Sequence, residues 1–105
     1  MEAQEKTVSF NDLINSETPV LVDFYADWCA PCRMMPPILN EVKKNLGDKV
    51  TIVKIDVDKN PAAAQAYRVM GIPTLILFQK GEIKWQQSGV VPAKQLQEAI
   101  ETNTN

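Results

Sequence analysis

At 105 residues with 45% hydrophobic side chains, the chain has room for one ordinary soluble core and none for a second domain, so residues 1–105 are expected to form a single domain. Eleven Lys and Arg stand against thirteen Asp and Glu, a net charge of −2 with the lysines scattered, so no basic patch points to nucleic acid or to an anionic membrane. Two cysteines and no histidine exclude a four-ligand Cys/His zinc site within one chain.

The opening MEAQEKTVSF has no apolar stretch of the signal-peptide kind. No later run approaches the roughly 18 apolar residues of a membrane span, so a cytoplasmic chain is expected. Residues 6–8 read as a short strand. Ser9 followed by Asp12 reads as a helix start, with Phe10, Leu13 and Ile14 as its apolar side. After a turn over residues 16–19 comes VLVDFY, residues 20–25, the nearly unbroken apolar run of a strand covered on both faces. Asp23 alone interrupts it. Residues 26–28 make a short connection, and Pro31 suits the first turn of a helix, where a missing N–H costs nothing.

Cys29 is thereby placed at a helix N-terminus, where free N–H groups and the helix dipole favour a thiolate. Cys32 lies three residues on, which brings the two Cβ atoms about 5 to 6 Å apart on one face and makes a reversible disulfide geometrically plausible. Such a pair serves thiol–disulfide exchange: one thiolate attacks a partner's disulfide and the second resolves the mixed intermediate. As a structural staple a four-residue loop is worth only about 2 kcal/mol, against about 4.7 for a loop of 100 residues. Two inert core thiols would need no Trp and Pro beside them at a helix start. C-x-x-C beside alternating strands and helices is the redox pattern, and in a reducing compartment a lone pair is more often catalytic than structural.

From Cys32 the helix continues through Met35, Ile38, Leu39, Val42 and Leu46, an apolar stripe ended by Gly47. Pro36 and Pro37 either bend this helix just after the cysteines or form the first turn of a helix that starts later. Residues 50–57 read as a second strand, with Val53, Ile55 and Val57 on one face and Ile52, Lys54 and Asp56 on the other. Asn60-Pro61 opens a helix through Ala63, Ala66, Tyr67 and Met70 that stops at Gly71. Residues 74–78 and 83–87 pair as a hairpin around Gln79-Lys80-Gly81-Glu82, Gly89 ends it, and a last helix from Pro92 buries Leu96, Ala99 and Ile100 before a frayed tail over residues 102–105. Early strand–helix alternation implies parallel pairing through a right-handed crossover, and the later hairpin adds antiparallel strands. An α/β fold follows, a mixed central sheet flanked by helices on both faces.

An ionised Asp23 within the apolar run is costly, so it carries a raised pKa or a partner. It reads as the proton acceptor for Cys32 and as one half of a salt bridge to Lys54 on the neighbouring strand, two readings that are compatible. Trp28 reads as a partly exposed wall beside Cys29, and Trp85 as structural. Ile72-Pro73 sits between a helix stop and a strand; general rates give about 5 to 6% cis for X-Pro bonds.

VDFYADWCAPC, VKIDVD followed by KNP, GIPT, the K-G-E turn and Gly89 together resemble the thioredoxin family over nearly the whole chain. The resemblance implies a thioredoxin fold, Cys29 as attacking and Cys32 as resolving thiol, and Asp23 with Lys54 as a buried proton-handling pair. It implies that Pro73 follows a cis bond beside the disulfide, reversing the general rate. Trp28, Ala30, Pro31, Ile72, Pro73, Gly89, Val90 and Val91 would surround the cysteines as a docking surface for extended peptides. No bound cofactor is implied. Disulfide-containing proteins would be the substrates and an NADPH-dependent flavoprotein, thioredoxin reductase, the electron source, with the chain itself a monomer. Ala30 stands where the family's W-C-G-P-C has glycine, Pro36 precedes the family's kink proline at Pro37, and Pro92 replaces a capping hydroxyl residue. The competing readings are a disulfide oxidase or isomerase, with a more oxidising pair, and a binding module of the same fold whose cysteines are idle.

Overall fold

A computed structural model describes residues 9–105, so the strand expected over residues 6–8 lies outside the described residues. Among the described residues four strands form one sheet: β1 (Val20–Tyr25), β2 (Thr51–Asp56), β3 (Thr74–Gln79) and β4 (Glu82–Ser88), in the order β2-β1-β3-β4. β1 pairs parallel with β2 and antiparallel with β3, which pairs antiparallel with β4. The sheet is therefore mixed, and β1 lies inside it, which is why its sequence is apolar on both faces.

Alternation along β1 divides the core in two. Val20, Val22 and Phe24 face Ile14, Ile76 and Phe78 on the side of α1 (Phe10–Ile14) and α3 (Pro61–Ala66). There Phe10, Phe24, Tyr67 and Phe78 meet in tilted and edge-on pairs with centroids 5.2 to 6.4 Å apart, each such pair adding about 0.5 to 1.5 kcal/mol beyond its buried area. Leu21 points the other way, into Leu75, Leu77, Leu96, Ile100 and the stripe Met35, Leu39, Val42, Leu46 of α2 (Met35–Leu46) and α4 (Ala93–Asn103). Trp85 packs against this second cluster, a structural place on β4. Ser9 accepts the Asp12 N–H at 3.1 Å and so caps α1 as the sequence spacing suggests.

The two prolines resolve in favour of the later-starting helix. Pro31–Met34 is a separate 3-10 turn and α2 begins at Met35, with Pro36 and Pro37 in its first turn. In a continuous α-helix residues 36 and 37 would donate to the carbonyls of Cys32 and Arg33; proline has no N–H to give, so the tighter turn takes over there, Met35 N–H bonding Cys32 O.

Three expectations change. α3 stops at Ala66 rather than near Gly71, because Arg68 turns to φ 55°; Met70 stands 95% exposed instead of continuing the apolar face. Among the described residues β2 lies at one side of the sheet, and its apolar residues are only partly covered. The tail is tied down rather than frayed: α4 runs to Asn103, and the buried Gln79 side chain exchanges hydrogen bonds with the Asn105 backbone while also donating to Glu17 O at 2.8 Å. Ala99 in α4 is only half-buried.

The hairpin turn is Lys80-Gly81, both with positive φ (56° and 81°), the two-residue geometry whose twist matches the strands. A Cβ on Gly81 would strike the Asn15 side chain at less than contact distance. Gly81→Ala is expected to cost about 1 to 2 kcal/mol for the left-handed backbone alone, plus whatever Asn15 must yield; a urea titration measures it.

Candidate functional site

The site lies where β1 ends. Ala26 is buried, residues 27 and 28 turn outward, and Cys29 N–H bonds back to Ala26 O at 3.2 Å, which aims the cysteines across the C-terminal edge of the sheet. Cys29 and Cys32 are joined in a disulfide with Cα atoms 5.3 Å apart. Cys29 lies one residue before the cap of the 3-10 turn, and its Sγ accepts the Cys32 N–H at 3.2 Å. The sulfur thus occupies the anion-favouring place that the spacing suggests, served by a free amide of the first turn. Its other close neighbour is the Ile72 carbonyl oxygen, 3.7 Å away.

Ile72-Pro73 is cis, which brings this carbonyl and the buried Pro73 beside the disulfide. Pro73 O accepts the Gly89 N–H at 2.7 Å, and the Thr74 hydroxyl bonds Gly71 O and meets Ser88 Oγ at 3.1 Å. These bonds fix the segment carrying Gly89, Val90 and Val91 to the cis-proline turn. Val91 itself is fully buried in the α2–α4 core, so only its backbone can face a ligand, whereas Gly89 and Val90 are half-covered. Ala30 and Pro31 are exposed, and Trp28 is 68% exposed with its indole N–H donating to Asp58 Oδ2 at 2.8 Å.

Two hollows flank the disulfide. On one side an apolar cleft of about 410 Å³ runs between Trp28, Val57, Pro61, Val69, Met70 and Ile72. On the other a smaller cavity of about 170 Å³ is lined by Asp23, Tyr25, Asp27, Cys32, Arg33 and Lys54. Asp23 is 1% exposed and neither of its carboxylate oxygens has a hydrogen-bond partner among the described residues. Burial pushes its carboxyl up from the ordinary 3.8 to about 6, a shift that the charge of Lys54 partly opposes. Asp23 and Lys54 are register partners across β1 and β2, yet the lysine makes no hydrogen bond to the carboxylate; its ammonium lies over the Tyr25 ring, 5.1 Å from the centroid. The salt-bridge reading of Asp23 is therefore corrected: an exposed lysine does not leave water for a fully buried carboxylate when an aromatic face is at hand.

Sequence reasoning missed Asp58, the cleft residues Val57, Val69 and Met70, and the part played by the Tyr25 ring. Asp58 is thirty residues from Trp28 and no periodicity links them. α3 stops before the cleft residues Val69 and Met70, and nothing in the local sequence announces that early stop. A further hollow, about 480 Å³ among Glu17, Asp48, Glu101 and neighbours, lies at the opposite end of β1, away from the cysteines. Among the described residues no three His, Cys, Asp or Glu side chains cluster as metal ligands, and no helix is long and apolar enough to cross a membrane.

The thioredoxin family model matches residues 2–102. Thioredoxin Y2, chloroplastic, of Arabidopsis thaliana is 51% identical over 96 residues, 90% of this chain and 58% of that protein. Thioredoxin 1 of Chlorobaculum tepidum is 40% identical over 93 residues, 88% of this chain and 92% of its own. Among solved structures, a mutant thioredoxin from Halobacterium salinarum superposes with a TM-score of 0.81 at 40% identity, over 90% of this chain and 82% of that one. The chain spans 58 to 62% of the length of the three chloroplastic relatives it matches.

Proposed function

The chain belongs to the thioredoxin family, and from that membership we propose that it is a protein-disulfide reductase, working as one monomeric thioredoxin domain. The observation that carries this reading is the Cys29–Cys32 disulfide set between an apolar cleft and a cavity holding an unpartnered carboxyl.

In the reduced protein Cys29 is the attacking thiolate. Its sulfur is served by the Cys32 N–H and lies 3.7 Å from the carbonyl oxygen of Ile72, which with Trp28 lines the cleft; Trp28, Ile72 and Pro73, with Ala30, Pro31, Gly89, Val90 and the Val91 backbone, take an extended substrate segment. Attack forms a mixed disulfide and releases one substrate thiolate, which takes up a proton. The Cys32 thiol gives its proton to Asp23 across the small cavity and its thiolate attacks Cys29 Sγ. The second substrate thiol leaves, and the Cys29–Cys32 disulfide stores the two electrons' worth of oxidation. A carboxyl near pKa 6 suits that transfer at neutral pH, since a general base works best when its pKa lies near the operating pH. Lys54 tunes it at a distance. No cofactor bound by the chain enters this cycle; electrons come from NADPH through a flavin-dependent thioredoxin reductase.

A reducing compartment is required. The cytoplasm meets that need, and three relatives carry the word chloroplastic in their names, so the redox state rather than one organelle is the shared feature. The equilibrium reduction potential tests the assignment, read through the exposed Trp28 beside the disulfide. A value of about −270 mV, that of thioredoxin as a reductant, is expected and would make Ala30 a tolerated change. A value between about −180 and −120 mV would reassign the chain as an isomerase or oxidase.

A further inference from the structure

Leu21, Asp23 and Tyr25 alternate onto one face of β1, and Ile52, Lys54 and Asp56 onto the same face of β2. Lys54 is thus offered two neighbours. Directly across the register is Asp23, and one diagonal step further along β1 is Tyr25. The ammonium has gone to Tyr25: it sits 5.1 Å from the ring centroid, and both Asp23 oxygens are left without a donor. All three residues line the cavity that Cys32 also lines.

The energies explain why a ring can decide this. A cation over an exposed aromatic face gains a modest attraction and keeps most of its water. A direct pair with the buried carboxylate gains more Coulomb energy but must strip the ammonium of its water, a penalty that can match or exceed the gain. The two outcomes lie close, so a modest attraction selects between them. We propose that Tyr25 is a positioning residue, whose ring holds the Lys54 ammonium at the cavity mouth and off the Asp23 carboxylate. This deepens the proton-handling role given to Asp23 above and rests on it for its catalytic meaning. A carboxylate in direct contact with an ammonium would be a poor proton acceptor; one kept unpaired stays basic enough for Cys32.

No other charged group lining the cavity is placed to supply the missing partner. Arg33 in the 3-10 turn donates to the Asp27 carbonyl at 3.0 Å. Asp27 contributes only negative charge, and Pro36 of α2 contributes none. Asp56 on β2 accepts the N–H groups of Asp58 and Lys59.

The test is a ¹³C NMR titration of the Asp23 carboxyl in the oxidised protein without substrate, so it reads the positioning even if Asp23 proves unnecessary for Cys32. Tyr25→Leu should lower the Asp23 pKa by about one unit or more, as the released ammonium closes on the carboxylate. Tyr25→Phe, which keeps the ring, should leave it unchanged. In a Lys54→Gln background Tyr25→Leu should produce no shift, because the ring then has nothing to hold. Tyr25→Met is the second ring-free variant should the leucine protein not fold. An unchanged or raised pKa in the ring-free variants, a Phe variant that behaves like Leu, or a shift that persists without Lys54 would each overturn the proposal. The catalytic consequence is read separately: the pH below which mixed-disulfide resolution slows should move down with the Asp23 pKa in Tyr25→Leu, and an unmoved profile beside a moved titration would remove Asp23 from the reaction while leaving the positioning intact.

Discussion

Cys29→Ser is expected to reduce turnover of protein disulfides, in an assay coupled to NADPH oxidation by thioredoxin reductase, by on the order of 10³-fold or more, because it removes the nucleophile outright. Cys32→Ser should fail differently. That variant keeps the attacking sulfur and loses the resolving one, so it should complete half a cycle and accumulate a mixed disulfide visible as an intact covalent adduct by mass spectrometry. The two cysteines are nearly equally covered, at 4% and 5% exposure, so accessibility alone does not distinguish them. Their neighbours do. Cys29 borders the Ile72 carbonyl and its Sγ accepts the Cys32 N–H, whereas Cys32 lines the cavity with Asp23. An adduct trapped by Cys29→Ser instead would reverse the assignment, and full biological activity in Cys29→Ser would give the lead to the binding-module reading.

Much of this arrangement is legible in the sequence because its strongest signals are local and agree with one another. The nearly unbroken β-branched, aliphatic and aromatic run at residues 20–25 reads as an interior strand. Proline at 31 and the apolar stripe from Met35 to Leu46 set the helix that follows, and Lys80-Gly81 sets the hairpin. The errors lie where a single backbone angle or a distant partner decides. Tyr67 continues the apolar spacing of α3, but Arg68 takes a left-handed conformation that ends it, and the aromatic cluster on the sheet holds Tyr67 whether or not the helix goes on. The last residues look polar and free, yet Gln79, forming the last rung of an interior strand, has an amide that must be satisfied once buried, and the Asn105 backbone satisfies it. Lys54 opposite Asp23 reads as a salt bridge from register alone; only the third member, Tyr25, shows why none forms.

Asp23→Asn is expected to stabilise the oxidised protein and slow it as a reductase at once. The carboxyl's folded-state pKa, about 6, lies above its ordinary 3.8, so the folded chain binds this proton more tightly than the unfolded chain does. Below pH 4 both states hold the proton and the group costs nothing extra. As pH rises from about 4 to 6 the unfolded state ionises first and stability is lost; above 6 the folded carboxylate is ionised without a partner, and the full difference of roughly two units amounts to about 3 kcal/mol. Asparagine keeps the shape and never ionises. The gain in unfolding free energy, from urea titrations of both proteins, should therefore be near zero at pH 3 and climb to about 3 kcal/mol by pH 7. A gain that did not vary with pH would mean that packing, not ionisation, sets it. Resolution of the mixed disulfide should slow at neutral pH by roughly 10²-fold, the lower range for a lost general base. Unchanged resolution with the stability gain intact would leave Asp23 a buried charge without a catalytic purpose. Both effects together would identify the destabilising carboxylate as the cost of moving a proton from Cys32 at neutral pH.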